Sequence, residues 1–263
     1  MMQKRLLIVF FLLTFAITWG IAALLLLFPA QMTAWFGPMS ARNPLFRLAV
    51  FAPTLAALLV TWRTAGFAGL RTLLGRLVRW RFGLQWYLVV LLGIPALGLC
   101  ATLLGNGKPA FGLAQWYLFI PALVSQIYLD PGPLGEELGW RGYALPRLLV
   151  GRTPLAASLI LGVIWFVWHL PAFLIGGTPQ TSLSLPAFFL SALALSILAT
   201  WLYTNTQGSV LPSLLLHLTA NFALNLLGAP LVPFSGLLGL TALVVVLMTR
   251  ENQLAPQGLG NVA

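Results

Sequence analysis

Residues 6–28, LLIVFFLLTFAITWGIAALLLLF, carry no charge and no proline. A helix rises about 1.5 Å per residue, so ~20 such residues cross the ~30 Å hydrocarbon core of a bilayer. Comparable runs recur at about 45–62, 83–104, 115–130, 154–176, 184–204, 210–227 and 230–249, the fourth continuing in broken form through the segment after it. Lipid offers the backbone no hydrogen bonds, so only helices or closed barrels can span it, and barrel strands would be ~10 residues of alternating polarity. The chain is therefore expected to be all-α, a polytopic membrane protein of about eight transmembrane helices. One multi-spanning domain would occupy 1–250 and a loose polar tail 251–263, with no second domain and no internal repeat. Composition agrees, because only 7% of residues are charged against roughly a quarter in a soluble domain.

The formal net charge is +10, yet the basic residues fall in short connections between spans, where they set orientation, and this argues against nucleic acid as a partner. Lys4 and Arg5 precede the first span. Arg63, Arg71, Arg76, Arg79 and Arg81 follow the second, Arg147 and Arg152 the fourth, and Arg250 the eighth. If the spans alternate, all of these share one side, and the other side receives Arg42, Arg47 and Lys108. The positive-inside rule then predicts that both termini are cytoplasmic. The basic N-terminus has the look of a signal peptide, but its apolar run is too long for one and reads as a retained first span. Cys100 is the single cysteine, so no intramolecular disulfide can form. In LRTLLGRLVRWRF, Leu70, Leu73, Leu74, Leu77 and Val78 recur at helical spacing between arginines. This segment is either a short helix gripping anionic membrane lipid or an ordinary basic loop.

Ionisable groups inside a membrane cost ~2.5–3.5 kcal/mol each on the mildest scale, and they mark functional sites. The acids are Asp130, Glu136, Glu137 and Glu251, and the histidines are His169 and His217. In PGPLGEELGWRGYALPRL, residues 131–148, Glu137 and Arg141 form an i, i+4 pair that can neutralise itself. Glu136 points about 100° away and has no such partner, so it is the carboxylate available for chemistry. Pro131 and Pro133 are expected to interrupt the helix just upstream, leaving both glutamates in a first turn where the helix dipole favours negative charge. Gly135, Gly139 and Gly142 make a small-residue face that lets a neighbour approach closely.

Asn221 and Asn225 follow His217 at four-residue steps and share its helix face. Counted from the turn at 151–154, Glu136 and His169 lie about sixteen residues to either side, at equal depth in an antiparallel hairpin. His217 is shallower by ~9 Å, unless the helix kinks at Pro146 or the 151–154 turn projects. A lone intramembrane histidine is commonly a hydrogen-bonding strut, and Trp165 and Trp168 read as packing or interfacial residues. The placement of both histidines within spans favours a site.

Three motifs then stand in order. EELGWR matches E-E-x-x-x-R, WFVWH matches F-x-x-x-H with Trp165 in the aromatic place, and HLTAN matches H-x-x-x-N. Over eight spans this pattern, covering about 130–225, resembles the CPBP family of intramembrane endopeptidases, also called Abi or CAAX-protease-like. That family includes type II CAAX prenyl proteases and bacteriocin-processing or self-immunity proteins. The resemblance implies hydrolysis of peptide bonds in a membrane-associated or lipid-modified substrate. It also implies a multi-pass protein with its site toward the cytoplasmic side, and the arginine, leucine and proline bias of the sequence points to a bacterial plasma membrane. Carried over onto this chain, Glu136 would be the general base that activates water and His169 would help hold that water. His217 and Asn221 would form the oxyanion site, and Glu137 and Arg141 would support it. Such chemistry needs a base within reach of water and donors aimed at the developing oxyanion.

The family was long classed as metal-dependent, and Glu136, His169 and His217 would form a three-ligand zinc site with one open position. The chain lacks H-E-x-x-H, and no cysteine joins the cluster. The resemblance to the prenyl proteases favours a glutamate mechanism with no cofactor. Two rivals stand beside it. One is a non-catalytic immunity or scaffold protein that keeps the fold. The other is a small transporter, which predicts internal repeats.

Overall fold

The computed structural model describes residues 2–108 and 117–249, and every regular element among them is helical. In chain order these are α1 (Met2–Leu27), α2 (Pro29–Phe36) and α3 (Pro44–Gly75), then α4 (Leu84–Leu88) and α5 (Ile94–Leu104), joined by a π turn into one rod. Next come α6 (Phe119–Leu129), α7 (Gly132–Glu137) and α8 (Leu145–Leu148), the last two fused by the π turn Leu138–Ala144. The chain ends with α9 (Pro154–His169), α10 (Leu185–Asn205), α11 (Leu211–Asn225) and α12 (Leu231–Met248). Local sequence explains the starts. Asn43 and Thr153 each precede a proline at the first helical position, and their side chains accept amide N–H groups of the first turn.

Among the described residues, six helical rods are long and apolar enough to cross a membrane: Met2–Leu27, Pro44–Gly75, Leu84–Leu104, Pro154–Phe173, Leu185–Asn205 and Leu231–Met248. Two more rods run through the bundle without meeting that standard. They are 132–148, which holds three charged groups near its middle, and α11, of only 15 residues. The polytopic all-α expectation thus holds, with one difference. The fourth run, expected at about 115–130 and on in broken form through 131–148, divides: the rod 132–148 runs through the bundle.

The apolar run before it forms α6, which stays at one end of the bundle. The ring of Phe119 meets Phe222 at 5.1 Å, and Asp130, just past the other end of α6, bonds to Asn221. Both ends of α6 therefore sit near the C-terminus of α11. Ile120, Val124 and Ile127 face outward while Leu123 and Gln126 are buried, so the run is apolar because it lies against lipid along one flank. The start of that expected span and the 251–263 tail, with Arg250 and Glu251, lie outside the described residues.

α3 outruns its predicted span. It bends at Gly66, whose φ of 59° suits glycine, and continues to Gly75. The LRTLLGRLVRWRF segment is thus helical over 70–75. Leu73 is buried, and Arg76 donates to the carbonyl of Gly142. Leu74 and Val78 are exposed, so the segment anchors to the bundle through Leu73 and Arg76 and leaves its other flank free. The glycine face of 132–148 meets α3 as expected. A β-carbon at Gly135 would lie 2.9 Å from the Val50 carbonyl oxygen, and one at Gly139 would lie 2.5 Å from the Pro53 backbone.

Candidate active site

The helix that carries the two glutamates starts where sequence says it must. Asp130 is extended, at φ −106° and ψ 107°, as a residue before proline prefers. Its Oδ1 accepts the amide of Gly132 at 2.9 Å. The acid at the helix N-terminus is therefore Asp130. Glu136 and Glu137 are the fifth and sixth residues of α7, beyond the first turn, so side-chain partners rather than the helix dipole hold them.

Those partners divide the pair. Glu137 is 1% exposed, and its Oε1 accepts from Arg141 Nη1 at 2.9 Å and from His217 Nδ1 at 2.9 Å. Arg141, also 1% exposed, lays its guanidinium 4.7 Å from the centre of the Trp165 ring. Glu136 turns the other way, into a cavity of about 580 Å³, as the helix wheel predicts. Its Oε2 accepts the indole N–H of Trp165 at 2.6 Å. Trp165 is thus more than packing. The carboxylate reaches that residue, one turn short of His169, so the equal-depth estimate from the 151–154 turn was off by about 6 Å.

Each histidine has a defined ring orientation. His169 Nδ1 lies 2.8 Å from the carbonyl oxygen of Trp165, and His217 Nδ1 lies on the Glu137 carboxylate. Both acceptors can only receive a proton, so each Nδ1 carries one and each Nε2 is left for the cavity that both residues line. The ~9 Å depth problem for His217 also resolves. The amide of Val210 donates to the carbonyl of Arg76 beside Gly142, so α11 begins at the level of Gly142 rather than at the end of α8. Six residues of α8 and its turn project further, which is about 9 Å.

At the cavity floor three polar atoms surround one point. A β-carbon on Gly132 would sit 3.1 Å from Asp130 Oδ1, 3.3 Å from Glu136 Oε1 and 3.3 Å from His217 Nε2. Any side chain there would fill the space, and glycine leaves it open. Asn221 donates to Asp130 Oδ2 at 2.7 Å, and its second amide N–H remains available.

Glu136, His169, His217 and Asn221 therefore line one cavity, and Glu137 and Arg141 back it. Sequence reasoning passed over Asp130 and Trp165. Two signals pointed to them: three of the four acids fall within 130–137, and indole carries a donor that phenylalanine lacks.

Zinc held by Glu136, His169 and His217 does not fit this arrangement. Glu136, His169 and His217 do not come together closely enough to share a metal ion. Glu136 Oε2 is committed to Trp165, and His169 is set back along α9.

Comparison with known proteins covers the same ground. Residues 115–223 match the family model described as type II CAAX prenyl endopeptidase Rce1-like. A curated relative, CAAX prenyl protease 2 of Methanococcus maripaludis, is 28% identical over a 177-residue alignment that covers 62% of this chain. The match spans about 65% of the relative's own length. The matched stretch contains Asp130, the two glutamates, both histidines and Asn221, the residues that meet around the cavity. By motif order, by the family match over 115–223 and by this relative, the chain is similar to the type II CAAX prenyl endopeptidases.

Proposed function

We propose that this protein is an intramembrane endopeptidase that hydrolyses a peptide bond of a membrane-associated or lipid-modified substrate. The observation that carries this reading is the convergence of Glu136 Oε1, His217 Nε2 and Asp130 Oδ1 around Gly132. A water oxygen bound there is within hydrogen-bond reach of a carboxylate base. Glu136 takes one proton of that water as its oxygen bonds to the scissile carbonyl carbon. The carbonyl oxygen becomes an oxyanion, and the free N–H of Asn221 stabilises it, together with Nε2–H of His217 in its doubly protonated form, whose Nδ1–H stays on Glu137. The C–N bond then breaks, and the proton held by Glu136 passes to the leaving amine. Glu137 and Arg141 act through His217. The carboxylate fixes the imidazole's orientation and the guanidinium balances the carboxylate's charge. The Trp165 N–H holds Glu136 in one rotamer with Oε1 toward the water. No metal enters the step.

The cavity suits such a substrate. Its walls include the apolar Ile21, Leu25, Phe188, Leu195 and Phe234, and Asp130, Glu136 and His217 gather at one place on its floor. An acyl or prenyl chain, or apolar side chains, would fill the walls while the peptide lies over Glu136. The test is cleavage of a mixed library of prenylated and unprenylated peptides by the purified full chain in nanodiscs. Glu136→Gln keeps the shape and removes the base, so turnover should fall by at least ~10²–10⁴-fold. Equal cleavage by variant and wild type would overturn the assignment of Glu136.

A further inference from the structure

The cavity and the basic residues occupy opposite ends of the bundle. The cavity is lined by the C-terminal parts of α1, α9 and α11, the N-terminal parts of α3, α7, α10 and α12, and the connections between them. Met39, Asp130, Thr178, Leu183 and Ala229 represent those connections. Glu136 is the fifth residue of the rod 132–148, about 6 Å below its cavity end and about 18 Å from its other end. Lys4, Arg5, Arg63, Arg71, Arg76, Arg79, Arg81, Arg147 and Arg152 all belong to the far end. Three contacts knit that end together: Arg79 to the carbonyl of Gln207, Ser209 to the carbonyl of Arg79, and Arg76 to the carbonyl of Gly142. The cavity end has only Arg42, Arg47 and Lys108, and it holds all three described acids. Cytoplasmic termini and a cytoplasmic site, both expected from sequence, therefore exclude each other in this fold.

Nine basic residues against three, all close to span ends, is the bias that fixes orientation during insertion. Arg47, moreover, is held by the carbonyls of Ala41 and Tyr128, so one of the three serves the local fold. We infer that the cavity opens on the extracytoplasmic face, and that the site takes substrates presented from the outer leaflet. The orientation stands by itself, and the substrate class rests on the endopeptidase reading. A lipidated tail completed in the cytoplasm would have to cross the bilayer to reach Glu136. A membrane-anchored peptide or protein whose cleavable segment lies at the outer surface would enter directly past the 170–184 connection.

The test is thiol labelling of the full chain in a bacterial plasma membrane, with Cys100→Ser as background. Ser184→Cys places one exposed thiol at the cavity end, and Val150→Cys places one at the arginine-rich end. A membrane-impermeant maleimide is applied to intact cells, to permeabilised cells and in denaturant, the last giving full labelling. The expected result is complete labelling at Ser184→Cys in intact cells, and labelling at Val150→Cys only after permeabilisation. The reverse pattern would overturn the proposal. So would equal labelling of the two positions in intact cells, or protection of both, since neither fits a single outward-facing mouth. Labelling needs no turnover. An inactive chain would sink the hydrolase reading and leave the orientation untouched, and a reversed pattern would do the opposite.

Discussion

The outermost and innermost helices of this bundle answer to different solvents. In α1 and α12 only 22% and 28% of the most apolar window is buried, and side chains such as Leu12, Leu240 and Leu247 face outward. In 132–148 every residue but Leu134 and Arg147 is buried. Lipid asks a helix to be long, apolar and regular. Protein neighbours ask only that polar groups find partners. The inner rod can therefore hold two glutamates, two arginines, four glycines and a π turn, and α11 can be short and carry a histidine and two asparagines. The two helices that least resemble membrane spans supply Glu136, His217 and Asn221, and the span-like α9 adds Trp165 and His169.

The comparison breaks most visibly at Arg141. The Glu137–Arg141 pair is buried, and loss of one partner leaves a stranded charge, at a cost of about 3–5 kcal/mol. Arg141→Ala should lower the thermal midpoint of the protein in nanodiscs and abolish cleavage together, because His217 loses its anchored carboxylate at the same time. A variant that melts like wild type would mean that water reaches Glu137, and the inner rod would then be less sheltered than its burial indicates.

The same contrast explains what sequence could and could not reveal. Outer helices are legible because run length is their whole specification. Run length did not divide the fourth run, since α6 is as apolar as a span yet lies along the rim, and hydropathy does not encode direction. Glu136, Glu137, Arg141, His169, His217 and Asn221 were legible because a charge or imidazole in hydrocarbon is conspicuous. Trp165 was not, because its ring suits packing equally well and only the 2.6 Å contact to Glu136 separates the two roles. The depth of His217 depended on where α11 begins, which is set by the hydrogen bond from Val210 to Arg76 between distant segments.

Trp165→Phe sharpens the point, since it keeps an aromatic ring and removes only the N–H. A hydrogen bond to a charged group contributes about 1.5–3 kcal/mol. Loss of part of it in positioning Glu136 should lower kcat by about tenfold for each 1.4 kcal/mol, with KM nearly constant. Unchanged kcat would return Trp165 to a packing role and leave Glu136 held by its backbone alone.

The smallest effect belongs to the outer layer, within a single helix. Leu238 of α12 is 0% exposed and Leu243, a turn and a half further on, is 53% exposed. Leu238→Ala removes buried packing where Leu238 lines the cavity and should cost about 2–5 kcal/mol. Leu243→Ala exchanges leucine for lipid tail, which is equally apolar, so almost no driving force is lost. Unfolding of both variants in the same lipid, read as the shift in midpoint, compares them directly. If Leu243→Ala proved as costly as Leu238→Ala, the exposed flank of α12 would be covered by protein in the membrane, and the division between outer and inner helices would have to be redrawn around a larger assembly.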